Sequence, residues 1–117
     1  MKESIIQKKS YHFAIRIVNF YKYLTNQKKE YILSKQLLRS GTSIGANVEE
    51  SLGGQSRKDF IAKLSIAYKE ARETNYWIRI LRDTSIIDEK IALSLLSDCD
   101  ELLKIIGSIQ KTSKKNS

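Results

Sequence analysis

Proline is absent from this 117-residue chain, and glycine occurs only five times. Without proline no backbone donor is lost and no φ angle is locked against the helix, so long uninterrupted helices are open to it. The single cysteine, Cys99, excludes an internal disulfide and suits a reducing compartment. No Cys/His grouping has metal-ligand spacing, and His12 is the only histidine. No apolar run of about 18 residues could span a membrane, and no N-terminal run resembles a signal peptide. The expectation is a soluble, cytoplasmic protein with no membrane contact. Neither G-x-x-x-x-G-K-[ST] nor G-x-G-x-x-G occurs, so no nucleotide cofactor is expected. Glu49 and Glu50 are adjacent, hence about 100° apart on a helix, and cannot face each other as an acid/base pair. No catalytic, cofactor-binding or metal-binding residues are expected, and the chain does not read as an enzyme.

What is present is helical periodicity over one domain's length. A first helix is expected over roughly 4–27, with Ile6, Phe13, Ile17, Phe20 and Leu24 as one seam, widened by Ala14, Val18 and Tyr21. His12 falls beside Phe13 and is read as a half-buried bundle residue. Lys8, Lys9, Arg16 and Lys22 lie on the polar arc. A second helix is expected over roughly 34–52, with Ser34 as N-cap, a Leu33–Leu38 staple, and Leu37, Ile44, Val48 and Leu52 recurring at helical spacing. Gly53-Gly54 should end it through a left-handed glycine. Ser56-Arg57-Lys58-Asp59 then reads as a capping box that starts a third helix over roughly 57–83. A fourth is expected over roughly 88–111, capped by Asp88, with Cys99 among its core residues. The remainder, 112–117, reads as a frayed basic tail.

Two helices carry more than a core seam. The second concentrates small residues: Ser40, Gly41, Thr42, Ser43, Gly45 and Ala46. Each interior glycine costs roughly 0.5–1 kcal/mol relative to alanine. Close packing inside a bundle would compensate, and so would a subunit contact or ligand groove. On the third, Phe60, Leu64, Ala67, Ala71, Thr74, Ile78 and Leu81 alternate spacings of four and three, a bundle seam. Ile66, Trp77 and Ile80 fall on another side of the cylinder, and a helix apolar on two faces is buried on two. These three are the expected oligomer interface, with Trp77 as anchor.

Charge is distributed unevenly. The net formal charge is +8, and residues 1–48 carry nine Lys or Arg against two Glu. Residues 84–101 carry one Lys against five acids. An excess of this kind attracts polyanions, RNA or DNA, and the residues expected to meet phosphate are Arg16, Lys22, Lys35, Arg39, Arg57 and Lys58. Arg39, Ser43, Asn47 and Glu50 also form a strip on the second helix. Together with Gln36 and with Glu73 on the third, they are expected to make a structural polar network, the stronger of the two readings for Arg39.

The stretches SKQLLRSGTSIGANVEES, SRKDFIAKLSIAYKEARET and YWIRIL resemble a family of small bacterial four-helix-bundle proteins. That family is named for reading frames inside the intervening sequences of large-subunit (23S) ribosomal RNA. The matching positions include Gln36, Leu37, Arg39, Ser43, Asn47, Glu50, Arg57, Phe60, Ala67 and Glu73. Ser51, where glycine is usual, and the link before Tyr31, where a Phe-Pro pair is common, depart from the pattern. The resemblance implies an all-α, antiparallel up-and-down bundle, here expected to be left-handed, and assembly as a homopentamer. Related accessory proteins of diversity-generating retroelements bind nucleic acid and a reverse transcriptase, so a reverse-transcriptase-like partner is a second implication. The functional expectation is a non-enzymatic, self-associating module that binds nucleic acid. The alternative is a scaffold for a partner enzyme without nucleic-acid contact.

Overall fold

The computed structural model describes residues 2–115, with side chains for 5–113. The described chain is four helices and their links: α1 (Lys2–Asn26), α2 (Leu33–Leu52), α3 (Arg57–Asp83) and α4 (Glu89–Lys115). At 1.5 Å per residue the 27 residues of α3 or α4 reach about 40 Å. The molecule measures 46 × 21 × 19 Å, so all its length is helix length.

Each helix packs on two neighbours, in the cycle α1–α2–α3–α4–α1, and none crosses to the diagonal one. Cross-helix partners show the chain direction. Arg39 meets Glu73 while Glu50, further along α2, meets Lys63, earlier on α3. Gly41 faces Ile17 and Gly45 faces Ser10. Asn75 bonds Asp100, and Gln110 bonds Ser65. Rising numbers on one helix meet falling numbers on the next at every seam, so neighbours are antiparallel and the topology is up-and-down.

The core is the set of seams read from the sequence. Ile6, Phe13, Ile17, Phe20 and Leu24 are buried, as are Leu37, Ile44 and Val48. Leu64, Ala67, Ala71, Thr74, Ile78 and Leu81 join from α3, where Phe60 is only half-buried, and Leu95, Leu96, Cys99, Leu102, Ile106 and Ile109 complete it from α4. Leu52 does not join them and is 38% exposed. Val18, expected to widen the α1 seam, turns outward beside exposed Ile15 and Tyr11. His12, expected to be half-buried, is exposed. Cys99 is fully buried, its Sγ 3.2 Å from the Ala71 carbonyl, and burial pushes its thiol up to about 12, so at neutral pH it is an inert apolar side chain.

The small residues of α2 serve helix packing. A Cβ on Gly41 would lie 2.8 Å from Ile17 Cγ1, and one on Gly45 would lie 3.2 Å from the Ser10 carbonyl oxygen. α1 therefore rests on bare α2 backbone. On the other side the Ser40 and Thr74 hydroxyls bond each other at 2.9 Å inside the α2–α3 seam.

Helix ends differ from expectation in three places. Ser34 does not cap α2. The Glu30 carboxylate does, accepting from the backbone N–H groups of Ile32 (3.1 Å), Leu33 (3.0 Å) and Ser34 (2.6 Å). A carboxylate can satisfy three orphan donors at once, where a serine hydroxyl satisfies one. No described glycine has positive φ: Gly53 sits at φ −90°, and the left-handed positions are Lys29 (φ 55°) and Ser85 (φ 61°). Finally, α4 stays helical to Lys115 instead of fraying after residue 111. The side chains of Lys114 and Lys115, and residues 116–117, lie outside the described residues. The other two caps follow the sequence: Ser56 Oγ accepts from Asp59 N at 3.1 Å, and Asp88 Oδ1 accepts from Ile91 N at 2.8 Å.

Candidate functional site

The residues expected to meet phosphate fall into two groups. Arg16 is engaged within the molecule. Its guanidinium bonds Asp98 Oδ2 at 2.7 Å, Ser94 Oγ at 2.7 Å and the Ser94 carbonyl at 3.3 Å. With Lys9–Glu101 at 3.2 Å it stitches α1 to α4. Basic α1 thus lies beside the acidic segment of α4, whose carboxylates offset part of its charge. Two shallow recesses open on this seam either side of Arg16. One, of about 320 Å³, is lined by His12, Phe13 and Leu102 among charged neighbours. The other, of about 300 Å³, is lined by Asn19, Phe20, Tyr23, Ile91 and Leu95. Arg39 is likewise engaged, bridging Glu70 (Nη1 to Oε2, 3.1 Å) and Glu73 on α3.

Lys22, Lys35, Arg57 and Lys58 form the second group. All four are exposed, and none makes an ion pair among the described residues. They do not converge. Lys22 and Lys35 belong to the end of the bundle where α1 finishes and α2 begins. Arg57 and Lys58 belong to the opposite end, at the start of α3.

The polar strip is less of a network than its spacing suggests. Arg39 crosses to Glu73, and Glu50 crosses to Lys63 at 2.9 Å. Ser43 and Asn47 instead bond their own helix one turn back, Ser43 Oγ donating to the Arg39 carbonyl (2.6 Å) and Asn47 Nδ2 to the Ser43 carbonyl (2.8 Å). The Gln36 side chain is exposed and bonds nothing among the described residues. Glu70 and Asp98 are partners the sequence reading omitted. Glu70 lies three residues before Glu73, one turn along the same flank, and that spacing was the available signal.

The apolar trio is split. Ile66 is 41% exposed, while Trp77 and Ile80 are half-buried. Trp77 leans over the α2–α3 seam, where its indole Nε1 donates to Glu73 Oε2 at 2.9 Å. That bond is the chief cause holding the Glu73 carboxyl below the usual carboxylate range, with the Arg39 guanidinium adding to it against the opposing effect of burial. Among the described residues no group of His, Cys, Asp and Glu could hold a metal ion, and no helix is long and apolar enough to cross a membrane.

The described residues form an all-α four-helix bundle whose α1–α4 and α2–α3 seams are crossed by ion pairs. Its sequence matches the model of the 23S rRNA-intervening sequence protein family over residues 2–108, and the chain belongs to that family. It is also similar to a solved protein of unknown function from the S23 ribosomal protein family of Bacteroides thetaiotaomicron. The two share 51% identity with a TM-score of 0.94, over 95% of this chain and 99% of the other. No curated protein matches.

Proposed function

We propose that this chain is a non-enzymatic module that associates with copies of itself and binds nucleic acid through its basic faces. The observation that carries the reading is that Lys22, Lys35, Arg57 and Lys58 are exposed and make no ion pair among the described residues, in a chain of net charge +8. Cations already matched by carboxylates gain little from a phosphate, whereas unmatched ones release counterions when they meet it. Because these cations sit at both ends of the bundle, one subunit offers only a sparse footprint. Self-association multiplies it, since each copy brings its own cations to the same strand. By family resemblance the assembly is a ring of five, in the cytoplasm, where a buried reduced Cys99 belongs.

Binding is sequence-independent in this reading, because contacts to phosphate carry no base sequence. Fluorescence anisotropy with labelled RNA and DNA at about 50 mM salt tests it, the affinity falling on a log-log plot by about 0.9 per duplex phosphate contacted. The quadruple reversal of Lys22, Lys35, Arg57 and Lys58 to glutamate weakens the binding and flattens its salt slope. Wild-type protein that binds no nucleic acid at micromolar concentration overturns the reading. The second reading, a scaffold for a partner such as a reverse-transcriptase-like enzyme, draws on the exposed apolar row Tyr11, Ile15 and Val18 along α1. It then stands alone.

A further inference from the structure

Beyond its first two turns, where Asp59 lies at the cap and Lys63 reaches Glu50 on α2, helix α3 sorts its charges by side. Its carboxylates Glu70 and Glu73 lie on the flank toward α2, where Arg39 neutralises both. Asp83, at its C-terminal end, is taken by Arg82 at 2.8 Å. On the outward ridge, opposite the buried row Leu64, Ala67, Ala71, Thr74 and Ile78, stand Lys69, Arg72, Tyr76 and Arg79, all exposed. The spacings of three, four and three keep these four on one face, over about 15 Å of helix. No cation of this ridge makes an ion pair among the described residues. Lys69 and Arg79 only feel Glu73 and Asp83 at longer range.

The aromatic among them is held ready. Tyr76 is 48% exposed. The Arg79 guanidinium sits 5.8 Å from its ring centroid, and Arg79 Nε is itself fixed by the Asn75 side-chain oxygen at 2.7 Å. Trp77 backs Tyr76 in an edge-on arrangement, the ring centroids 5.1 Å apart and the planes inclined at 68°.

Resting on the nucleic-acid reading above, we infer that the α3 ridge of Lys69, Arg72, Tyr76 and Arg79 is a binding site for single-stranded nucleic acid. The three cations track phosphates and Tyr76 stacks on an unpaired base. Unpaired bases have free faces, and duplex bases do not, so the ring discriminates strand from duplex while the cations do not. None of these four residues is among the cations singled out from the sequence, because the separation of acidic and basic flanks emerges only when α2 is seen to claim the acids.

The test is anisotropy titration of the full chain with a labelled oligouridylate, an oligothymidylate and a duplex of equal length, across salt, with thermal melts confirming each variant folds. Tyr76→Ala weakens single-strand binding roughly 5- to 150-fold, the range for losing one stacked base, and leaves duplex binding and the salt slope unchanged. Arg72→Glu with Arg79→Glu weakens both substrates and flattens the single-strand slope by about 0.7 for each phosphate no longer neutralised. Tyr76→Phe binds as wild type, because the ring and not the hydroxyl does the stacking. Binding that survives the α3 variants but is lost on reversing Lys22, Lys35, Arg57 and Lys58 overturns the ridge and leaves the broader reading intact. Equal loss of strand and duplex on Tyr76→Ala overturns the stacking role. No binding by wild-type protein overturns both.

Discussion

At the scale of single residues, the backbone conformations expected of glycine are supplied by other side chains. Gly53-Gly54 has the composition of a left-handed stop, because glycine commonly plays that part. The structure puts ordinary backbone there, at φ −90°, and places the left-handed turns after α1 and α3 at Lys29 and Ser85. Both are forced by the hydrogen bonds that end the helices: Glu30 N donates back to the Leu24 carbonyl at 2.9 Å, and Ile86 N to that of Leu81 at 3.0 Å. Lysine and serine give no local sign of this, since either residue usually avoids αL at a cost of about 1–2 kcal/mol. Ser85→Gly is therefore expected to stabilise the fold by about 1 kcal/mol. Gly53→Ala, with only carbonyl oxygens at 3.9 Å from its new Cβ, is expected to add about 0.4–1 kcal/mol by restricting the unfolded chain. Urea melts showing a loss of stability for both would contradict the assigned conformations.

Glu30 is the second residue-scale case. Burial pushes its carboxyl up, but the backbone N–H groups of Leu33, Ser34 and Ile32 together hold it below its ordinary 4.5. The folded chain then binds this proton less tightly than the unfolded chain does. The cap's contribution is complete above about pH 4.5 and is lost as pH falls through the depressed folded value. Glu30→Ala should cost about 1 kcal/mol at pH 7, as loss of a cap does, and the gap between variant and wild type should narrow as the pH falls through the depressed folded value. A gap independent of pH would show that some other feature of Glu30 sets its worth.

At the scale of elements, helix identity and register were legible because each seam repeats over four or more turns. The start of α3 was legible too, as Ser56 and Asp59 carry a local cap signature. The start of α2 was not, because its cap comes from Glu30, outside the serine-led pattern. The strip on α2 misled for a related reason: spacing places Ser43 and Asn47 on a flank but cannot say that their own helix offers carbonyls closer than α3 does. Arg39 does reach α3, yet its side chain is 49% exposed and that of Glu73 30% exposed. The roughly 3–5 kcal/mol that attends a fully buried pair does not apply, and solvent screening leaves about 1 kcal/mol or less. A double-mutant cycle of Arg39→Met and Glu73→Gln should return a coupling of that size. Coupling should fall further at about 1 M salt, where the Debye length is about 3 Å. Strict additivity in low salt would mean the pair is a surface coincidence.

At the scale of the whole molecule, net charge and its partition by segment were readable, but which segment lies beside which was not. The acidic stretch of α4 folds against basic α1, so Arg16 and Lys9 are matched internally and the surviving positive surface lies elsewhere. The same holds for apolar surface. Periodicity marks Ile66, Trp77 and Ile80 as a second face of α3, yet Trp77 lies over the α2–α3 seam with its indole bonded to Glu73, leaving Ile66 the most open of the three. A second outward apolar row, Tyr11, Ile15 and Val18 on α1, lies on the corner diagonal to α3. Light scattering at tens of micromolar is expected to give a mass several times the 13.5 kDa of one chain. Ile80→Asp should lower that mass, because assembly would bury a charge with no partner, a cost of several kcal/mol. Trp77→Ala should lower it less, since part of the indole is already covered within the subunit. Ile15→Asp separates the two faces: if it alone dissolves the assembly, the contact runs through α1. A wild-type mass of 13.5 kDa at that concentration would leave both apolar rows free for a different protein.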